Sequence, residues 1–294
     1  MKPKSRTIKD ILALAGDYFS RKQIDSPRLT AEILLSHALN VNRVTLYMNL
    51  EQPLNESEIS GFRELVRRRA GREPIQYITG VQEFWSLDFS VDTRVLIPRP
   101  ETEHLIELAI KQAAELSARD KSNLRVLDMG TGCGVLAVVL ARELQNVRIW
   151  ATDISSGALE VARLNAEKHG VADAITFIQG DLWQPLRDMG ITFDIIVSNP
   201  PYVSARDYSH LPPEIQEYEP VEALLAEDDG FYHIRELIEG STAFLTPGGW
   251  LLMEMAPVQT ARALKIIGRM PAFRESRRIK DYSRRYRVVS ARLA

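Results

Sequence analysis

One cysteine in 294 residues, Cys133, leaves no partner for an intrachain disulfide and no thiolate cluster for a metal, which suits a reducing compartment. No run of 18 apolar residues occurs, so no transmembrane helix is expected. The first ten residues are charged and lack the apolar core of a secretion signal. These absences predict a cytoplasmic chain with no membrane partner. The five histidines, His37, His104, His169, His210 and His233, lack metal-ligand spacing, so no metal site is expected, and only His210 is placed near a substrate. No Ser-His-Asp order is supported. A broad basic surface is missing as well. The net charge of −2 hides basic ends, with 13 Lys/Arg against 9 Asp/Glu in residues 1–73 and 8 against 2 in residues 271–294, around a middle with 16 against 28. That balance permits a local phosphate contact but not the basic face of a sequence-independent DNA binder, so no stable nucleic-acid partner is expected.

With 45% hydrophobic residues the chain can bury a full α/β core and has room for a second, smaller domain. Residues 1–73 read as helical. Ile8, Ile11, Leu12, Ala15 and Phe19 mark one helix face, Pro27 opens a second helix carrying Leu29, Ile33 and Leu34, and Asn55 with Glu58 has capping-box spacing. The basic run Arg67-Arg68-Arg69 with Arg72 reads as a solvated helix face or a binding patch. Residues 74–95 read as a β-hairpin linker, and residues 96–294 as an α/β domain of about seven strands. Between linker and first sheet strand, two prolines stiffen Leu96-Ile-Pro-Arg-Pro-Glu-Thr-Glu103 and place Arg99, Glu101 and Thr102 at a helix N-terminus, as a cap or facing a ligand.

The chemistry gathers at predicted strand ends. Leu124 to Gly130 is a buried strand that runs into the turn Gly130-Thr131-Gly132-Cys133-Gly134 and then an apolar helix. Val135 stands where a dinucleotide fingerprint wants glycine, and no Lys-Ser/Thr follows, which disfavours a nicotinamide or flavin dinucleotide and removes an ATP-type P-loop. The next strand ends in Asp153, suited to both hydroxyls of a ribose; the third ends in Gly180-Asp181-Leu182, an acceptor for an adenine amine beside an apolar wall. An adenosine pocket without phosphate ligands points to S-adenosylmethionine, with S-adenosylhomocysteine as product. The fourth strand, Phe193 to Ser198, delivers Asn199-Pro200-Pro201-Tyr202. The prolines remove two N–H donors, so the Asn199 side-chain carbonyl and the Pro200 main-chain carbonyl can take both protons of a substrate –NH2 while Tyr202 packs against the substrate. The proline-rich stretch from His210 to Pro220 then reads as a substrate-facing loop.

These residues resemble the release factor glutamine methyltransferase family (PrmC/HemK). The resemblance rests on Gln76 to Gly80, Glu83-Phe84-Trp85, Leu96 to Glu103, Asp128 to Gly134, Asn199 to Tyr202, Glu219-Pro220 and Arg287-Val288-Val289. It implies a seven-stranded Rossmann-like class I S-adenosylmethionine-dependent methyltransferase domain behind a small N-terminal helical bundle that recognises substrate. It further implies that Gly130, Thr131, Gly132, Cys133 and Gly134 line the methionine moiety, Asp153 the ribose, Asp181 and Leu182 the adenine, with Asn199 also against the cofactor. Asn199, Pro200, Pro201 and Tyr202 would hold the substrate, the glutamine of the Gly-Gly-Gln loop of bacterial class-I peptide chain release factors, methylated on its side-chain amide nitrogen in translation termination by a monomeric enzyme. Cys133 departs from the Thr or Ser usual at its position, and Asp281 to Tyr286 lacks a glycine often found there. Two rivals remain at this level: a DNA adenine methyltransferase, which shares Asn-Pro-Pro-Tyr, and a non-catalytic adaptor.

Overall fold

The computed structural model describes residues 6–118 and 123–294. The chain divides into two compact units. The first comprises Met1–Gly80 together with Pro212–Tyr218, and the second Val81–Leu211 with Glu219–Ala294.

The first unit is helical because its apolar residues recur at helical spacing and its helix starts are capped. In Ile8–Arg21 the five expected residues Ile8, Ile11, Leu12, Ala15 and Phe19 are the buried ones. The helix Glu56–Ala70 begins with the expected capping box, Asn55 accepting from the Glu58 N–H and Glu58 accepting from the Asn55 N–H. In Pro27–Leu39 the buried face is Ala31, Leu34 and Leu35, whereas Leu29 points to solvent. The buried Glu32 carboxylate is satisfied there by Arg28, Arg43 and the Tyr47 hydroxyl. The arginine run is a solvated face at Arg67 and half-buried or buried beyond it, and each of its members is ion-paired. Arg67 pairs with Glu64, Arg68 with Glu73, and both Arg69 and Arg72 with Glu214 of the 212–218 segment, whose Tyr218 hydroxyl donates to the Gly71 carbonyl. Two departures from the sequence reading follow. Residues Ile75–Thr79 are helical, so the hairpin is shorter than 74–95, and residues 213–218 form a helix held by the first unit where a loop was expected.

The second unit opens with a short antiparallel hairpin, β1 (Val81–Phe84) and β2 (Leu87–Ser90). The main sheet contains β3 (Leu124–Met129), β4 (Val147–Asp153), β5 (Ile175–Gln179), β6 (Phe193–Ser198), β7 (Leu245–Glu254), β8 (Phe273–Lys280) and β9 (Tyr286–Leu293). Their spatial order is β5-β4-β3-β6-β7-β9-β8, parallel from β5 to β7, with β9 antiparallel to both neighbours. β3 and β6 are central and buried along nearly their whole length, which is why their sequences read as continuous apolar runs. Because β3 to β7 are parallel, their carboxyl ends share one edge, and the strand order reverses between β3 and β6. An open α/β sheet binds ligands at such a reversal.

Candidate active site

A cavity of about 840 Å³ opens at that edge. Its floor begins with the Gly turn after β3. Gly130, Thr131, Gly132 and Cys133 line it, and the turn is shaped by a carboxylate below it. Asp128, fully buried, accepts from the Thr131 hydroxyl at 2.6 Å and from the Ala137 N–H at 3.1 Å, tying the strand end, the turn and the following helix to one oxygen. Burial pushes this carboxyl up to about 7, against the pull of those two donors. Gly134 ends the turn at φ 85°, and a Cβ there would stand 3.1 Å from the Ala162 side chain, so the helix Ser156–Lys168 packs directly on its backbone. Gly134 therefore supports the turn from behind and does not line the cavity. Cys133 is buried with its thiol pushed up to about 12 by desolvation, which keeps it an unreactive spacer.

Asp153, at the end of β4, faces the same space. Its two oxygens accept from the Gly132 N–H (2.8 Å) and the Ser155 N–H (2.9 Å). Burial raises its pKa, and these N–H groups draw it back. Each oxygen keeps a lone pair for a further donor. Beyond β5, Asp181 and Leu182 both reach the cavity. Leu182 adopts φ 44°, a left-handed conformation costing about 1 kcal/mol for a residue with a Cβ. Trp183 turns the other way, donating its indole N–H to the Glu236 carbonyl and stacking on Phe244 within the core.

The fourth strand end completes the site. The Ser198 hydroxyl donates to the Met129 carbonyl at 2.7 Å, locking the end of β6 to the end of β3 and setting Asn199 beside the Gly turn. Asn199, Pro200 and Pro201 line the cavity. The Asn199 Nδ2 donates to the Thr102 Oγ1 at 3.2 Å, the side chain's one hydrogen bond among the described residues. Tyr202 is not a lining residue. It packs against the core cluster that contains Phe231, its phenol is pushed up to about 12 by burial, and its carbonyl accepts from the Gln259 side chain. Gln259 also donates to the Gly230 carbonyl, and a Cβ on Gly230 would collide with the Tyr202 carbonyl, so this junction needs glycine.

A second wall comes from the stiff Leu96–Glu103 segment, of which Leu96, Pro98, Arg99 and Thr102 face the cavity. Glu219 pins it: the nearly buried carboxylate accepts from the Arg99 guanidinium at 2.6 Å and from the Ile97 N–H at 3.3 Å. Sequence reading had noted Arg99 and Thr102 without deciding between cap and ligand wall. His233 was missed. It lines the cavity with Asp181 and Leu182, and desolvation lowers its pKa, whereas His210, the histidine expected near substrate, is not a lining residue. A helix-borne histidine among polar neighbours carries no local signal; only the fold brings it to the sheet edge. The two lining cations are already engaged, Arg94 by Asp92 and Glu160 and Arg99 by Glu219. The lining suits an uncharged ribose and base better than a phosphate.

Comparison with known proteins agrees with this geometry. Residues 10–80 match the PrmC N-terminal domain and residues 113–211 the methyltransferase small domain. The chain is 42% identical to the release factor glutamine methyltransferase of Geobacter sulfurreducens over 91% of its own length and 90% of that protein's. It is 39% identical to the enzyme of the same name from Rhodopirellula baltica, over 98% and 97%. Among solved structures, the hMettl16 catalytic domain in complex with MAT2A 3'UTR hairpin 1 superimposes with a TM-score of 0.56 at 17% identity, covering 79% of this chain and 80% of that one.

Proposed function

The chain belongs to the release factor glutamine methyltransferase family, with an α/β unit of class I methyltransferase fold, and on that premise we propose that it methylates the side-chain amide nitrogen of the Gly-Gly-Gln glutamine in bacterial class-I release factors. The observation that carries the reading is the orientation of Asn199. With Nδ2 committed to Thr102, its carbonyl oxygen is the end left for a ligand in the cavity. An acceptor at that point suits a substrate –NH2.

The residues fit S-adenosylmethionine. The Asp153 carboxylate, on the strand next to the Gly turn, has lone pairs for the ribose hydroxyls; Asp181 and Leu182 offer an acceptor and an apolar face for adenine; and the ion-paired arginines leave no phosphate site. When bound, that cofactor supplies a sulfonium methyl as electrophile. The protein's part is to orient the nucleophile. A glutamine amide nitrogen is weakly nucleophilic because its lone pair is delocalised. Acceptance of its two protons by Asn199 Oδ1 and the Pro200 carbonyl fixes its plane and stabilises the positive charge that builds on nitrogen. Tyr202 is held protonated behind this pair and supports the loop from the core. No base is needed beforehand, since the proton becomes acidic once nitrogen carries charge.

No described residue of the helical unit is among those that line the cavity. It does expose Val44, Tyr47 and Met48 on one short helix, and we assign it to release-factor recognition on that basis. Incubation with labelled S-adenosylmethionine and either a class-I release factor or adenine-containing DNA tests the reading. Label on the release-factor glutamine is expected. Label on DNA would move the reading to adenine methylation, and no transfer to either would reduce the protein to an adaptor.

A further inference from the structure

The basic C-terminal end of the chain takes no part in the reaction proposed above. Its turn between β8 and β9, residues 281–285, lies where the body of a protein substrate would rest. β9 is antiparallel to both neighbours, so β8 runs in the direction of β7 and finishes at the carboxyl edge, where the cavity opens. Ser198 pairs with Met253, Glu254 with Val288, and Lys280 with Tyr286, which places the turn beyond the same edge as Asn199. Three strand spacings of about 4.8 Å separate β6 from β8, so the turn starts about 14 Å across the sheet from Asn199. An interface of about 800 Å² on each partner has a radius of about 16 Å, so a folded substrate that puts a glutamine at Asn199 also reaches the turn.

The turn holds its cations outward on a fixed backbone. Asp281, buried, organises it from within. Its N–H donates to the Arg285 carbonyl and its carbonyl accepts from the Arg284 N–H, while its carboxylate accepts from the Arg285 N–H at 2.9 Å and pairs with Arg287 at 3.7 Å. The Tyr282 N–H donates to His104 Nε2 at 2.9 Å and the Tyr282 hydroxyl donates to Glu107, fastening the tip to the first turns of the helix Glu103–Ser117. That helix continues the segment whose Arg99 and Thr102 face the cavity. Lys280, Arg284 and Arg285 stay exposed, and none has an acidic partner among the described residues, whereas Arg287 and Arg292 of the following strand are both paired. Arg284 is also left-handed, at φ 61°, a conformation that glycine would take without strain. A merely solvated turn needs neither the anchoring nor the strain.

We propose that Lys280, Arg284 and Arg285 form a docking surface for acidic side chains of the release factor, beside the glutamine that enters the cavity. The inference rests on the reading of the protein as a release-factor methyltransferase and adds the charge of the substrate surface to it. A protein partner fits better than RNA. The chain carries a net charge of −2, so its field does not draw a polyanion from a distance, while three fixed cations can pair with carboxylates at contact. A turn ordered before binding also spares part of the entropy that flexible arginines would lose.

The test compares three full-length variants with wild type. Arg284→Gly removes one cation and relieves the left-handed strain. Arg284→Glu with Arg285→Glu reverses two cations. Lys168→Glu with Lys265→Glu makes the same net change at exposed lysines in the last turns of two other helices. In steady-state methylation of an intact class-I release factor at low salt, KM should rise about 3-fold in Arg284→Gly and on the order of 10-fold in the double reversal, with kcat and S-adenosylhomocysteine affinity unchanged. The ratio to wild type should shrink at about 0.5 M salt, where charges are screened beyond about 4 Å. Arg284→Gly should keep its resistance to urea, because glycine suits φ 61°, so its higher KM cannot come from a damaged fold. The lysine pair should leave KM near wild type. An unchanged KM in the double reversal, or an equal rise in the lysine pair, would overturn the docking surface. Binding of a single-stranded RNA oligonucleotide that the double reversal abolishes, beside an unchanged KM, would give the turn to RNA instead. Failure of the wild-type protein to methylate release factor while it still binds S-adenosylhomocysteine would remove the reading on which the inference stands.

Discussion

At the scale of single residues the site is a set of acceptors whose competing partners have been disposed of. Asp153 shows how. Its two backbone donors hold the carboxylate in one plane and leave a lone pair on each oxygen, so a ribose diol can bind without rearrangement. Removing it should therefore weaken cofactor binding without harming the fold. Asp153→Ala is expected to lower S-adenosylhomocysteine affinity about 10- to 100-fold, from charge-assisted hydrogen bonds worth about 1.5 to 3 kcal/mol. Calorimetric titration checks this, and an unchanged affinity would take Asp153 out of the ribose site. These acceptors were legible in the sequence because each follows directly on a buried strand. Thr102, Glu219 and His233 were not assignable in the same way: Thr102 and His233 line the cavity, and Glu219 braces its wall, from segments whose local sequence speaks only of caps, loops or helix faces.

At the scale of elements, the strand β3 and its turn depend on Asp128. One of its oxygens accepts from Thr131 and Ala137; the other has no protein partner among the described residues. Burial raises the carboxyl from an ordinary 3.8 to about 7 in the folded chain. Between those values the folded state binds more protons than the unfolded one, so this group's contribution to stability falls as pH rises through the window and is constant above it. Glu254, raised from 4.5 to about 7 by burial, acts with the same sign. Asp128→Asn should accordingly flatten part of the decline. Urea unfolding of both proteins between about pH 4 and pH 8 is the check, and the stability difference, wild type minus variant, should shrink with pH up to about 7 and then hold. A difference independent of pH would contradict the assignment. The strand pattern itself was readable: buried parallel strands announce themselves as apolar runs, and β3 and β6 begin and end within a residue of where the sequence placed them. The 213–218 helix was not readable, since its place depends on Glu214 and Tyr218 finding Arg69, Arg72 and Gly71 far away in sequence.

At the scale of the whole molecule, labour is divided. All cavity-lining residues belong to the α/β unit, and the helical unit, which includes the 212–218 segment, has its own core and its own ion pairs. If the helical unit recognises the release factor, exposed side chains there should matter for the intact protein substrate and not for the cofactor. Val44→Ala with Met48→Ala is expected to raise KM for release factor about 30-fold, as loss of two interface contacts of about 1 kcal/mol each would, and to leave kcat and S-adenosylhomocysteine affinity near wild type. Steady-state kinetics with intact release factor decides it. An unchanged KM would place recognition elsewhere.

The account turns on Asn199 as an oriented acceptor, and single-turnover methyl transfer to a class-I release factor by wild type, Asn199→Ala and Asn199→Asp measures that directly. Loss of one preorganised partner predicts a fall on the order of 100- to 1000-fold for Asn199→Ala with cofactor affinity little changed, and partial activity for Asn199→Asp, which still accepts. An Asn199→Ala protein that transfers methyl to release factor at close to the wild-type rate would contradict the acceptor-pair mechanism.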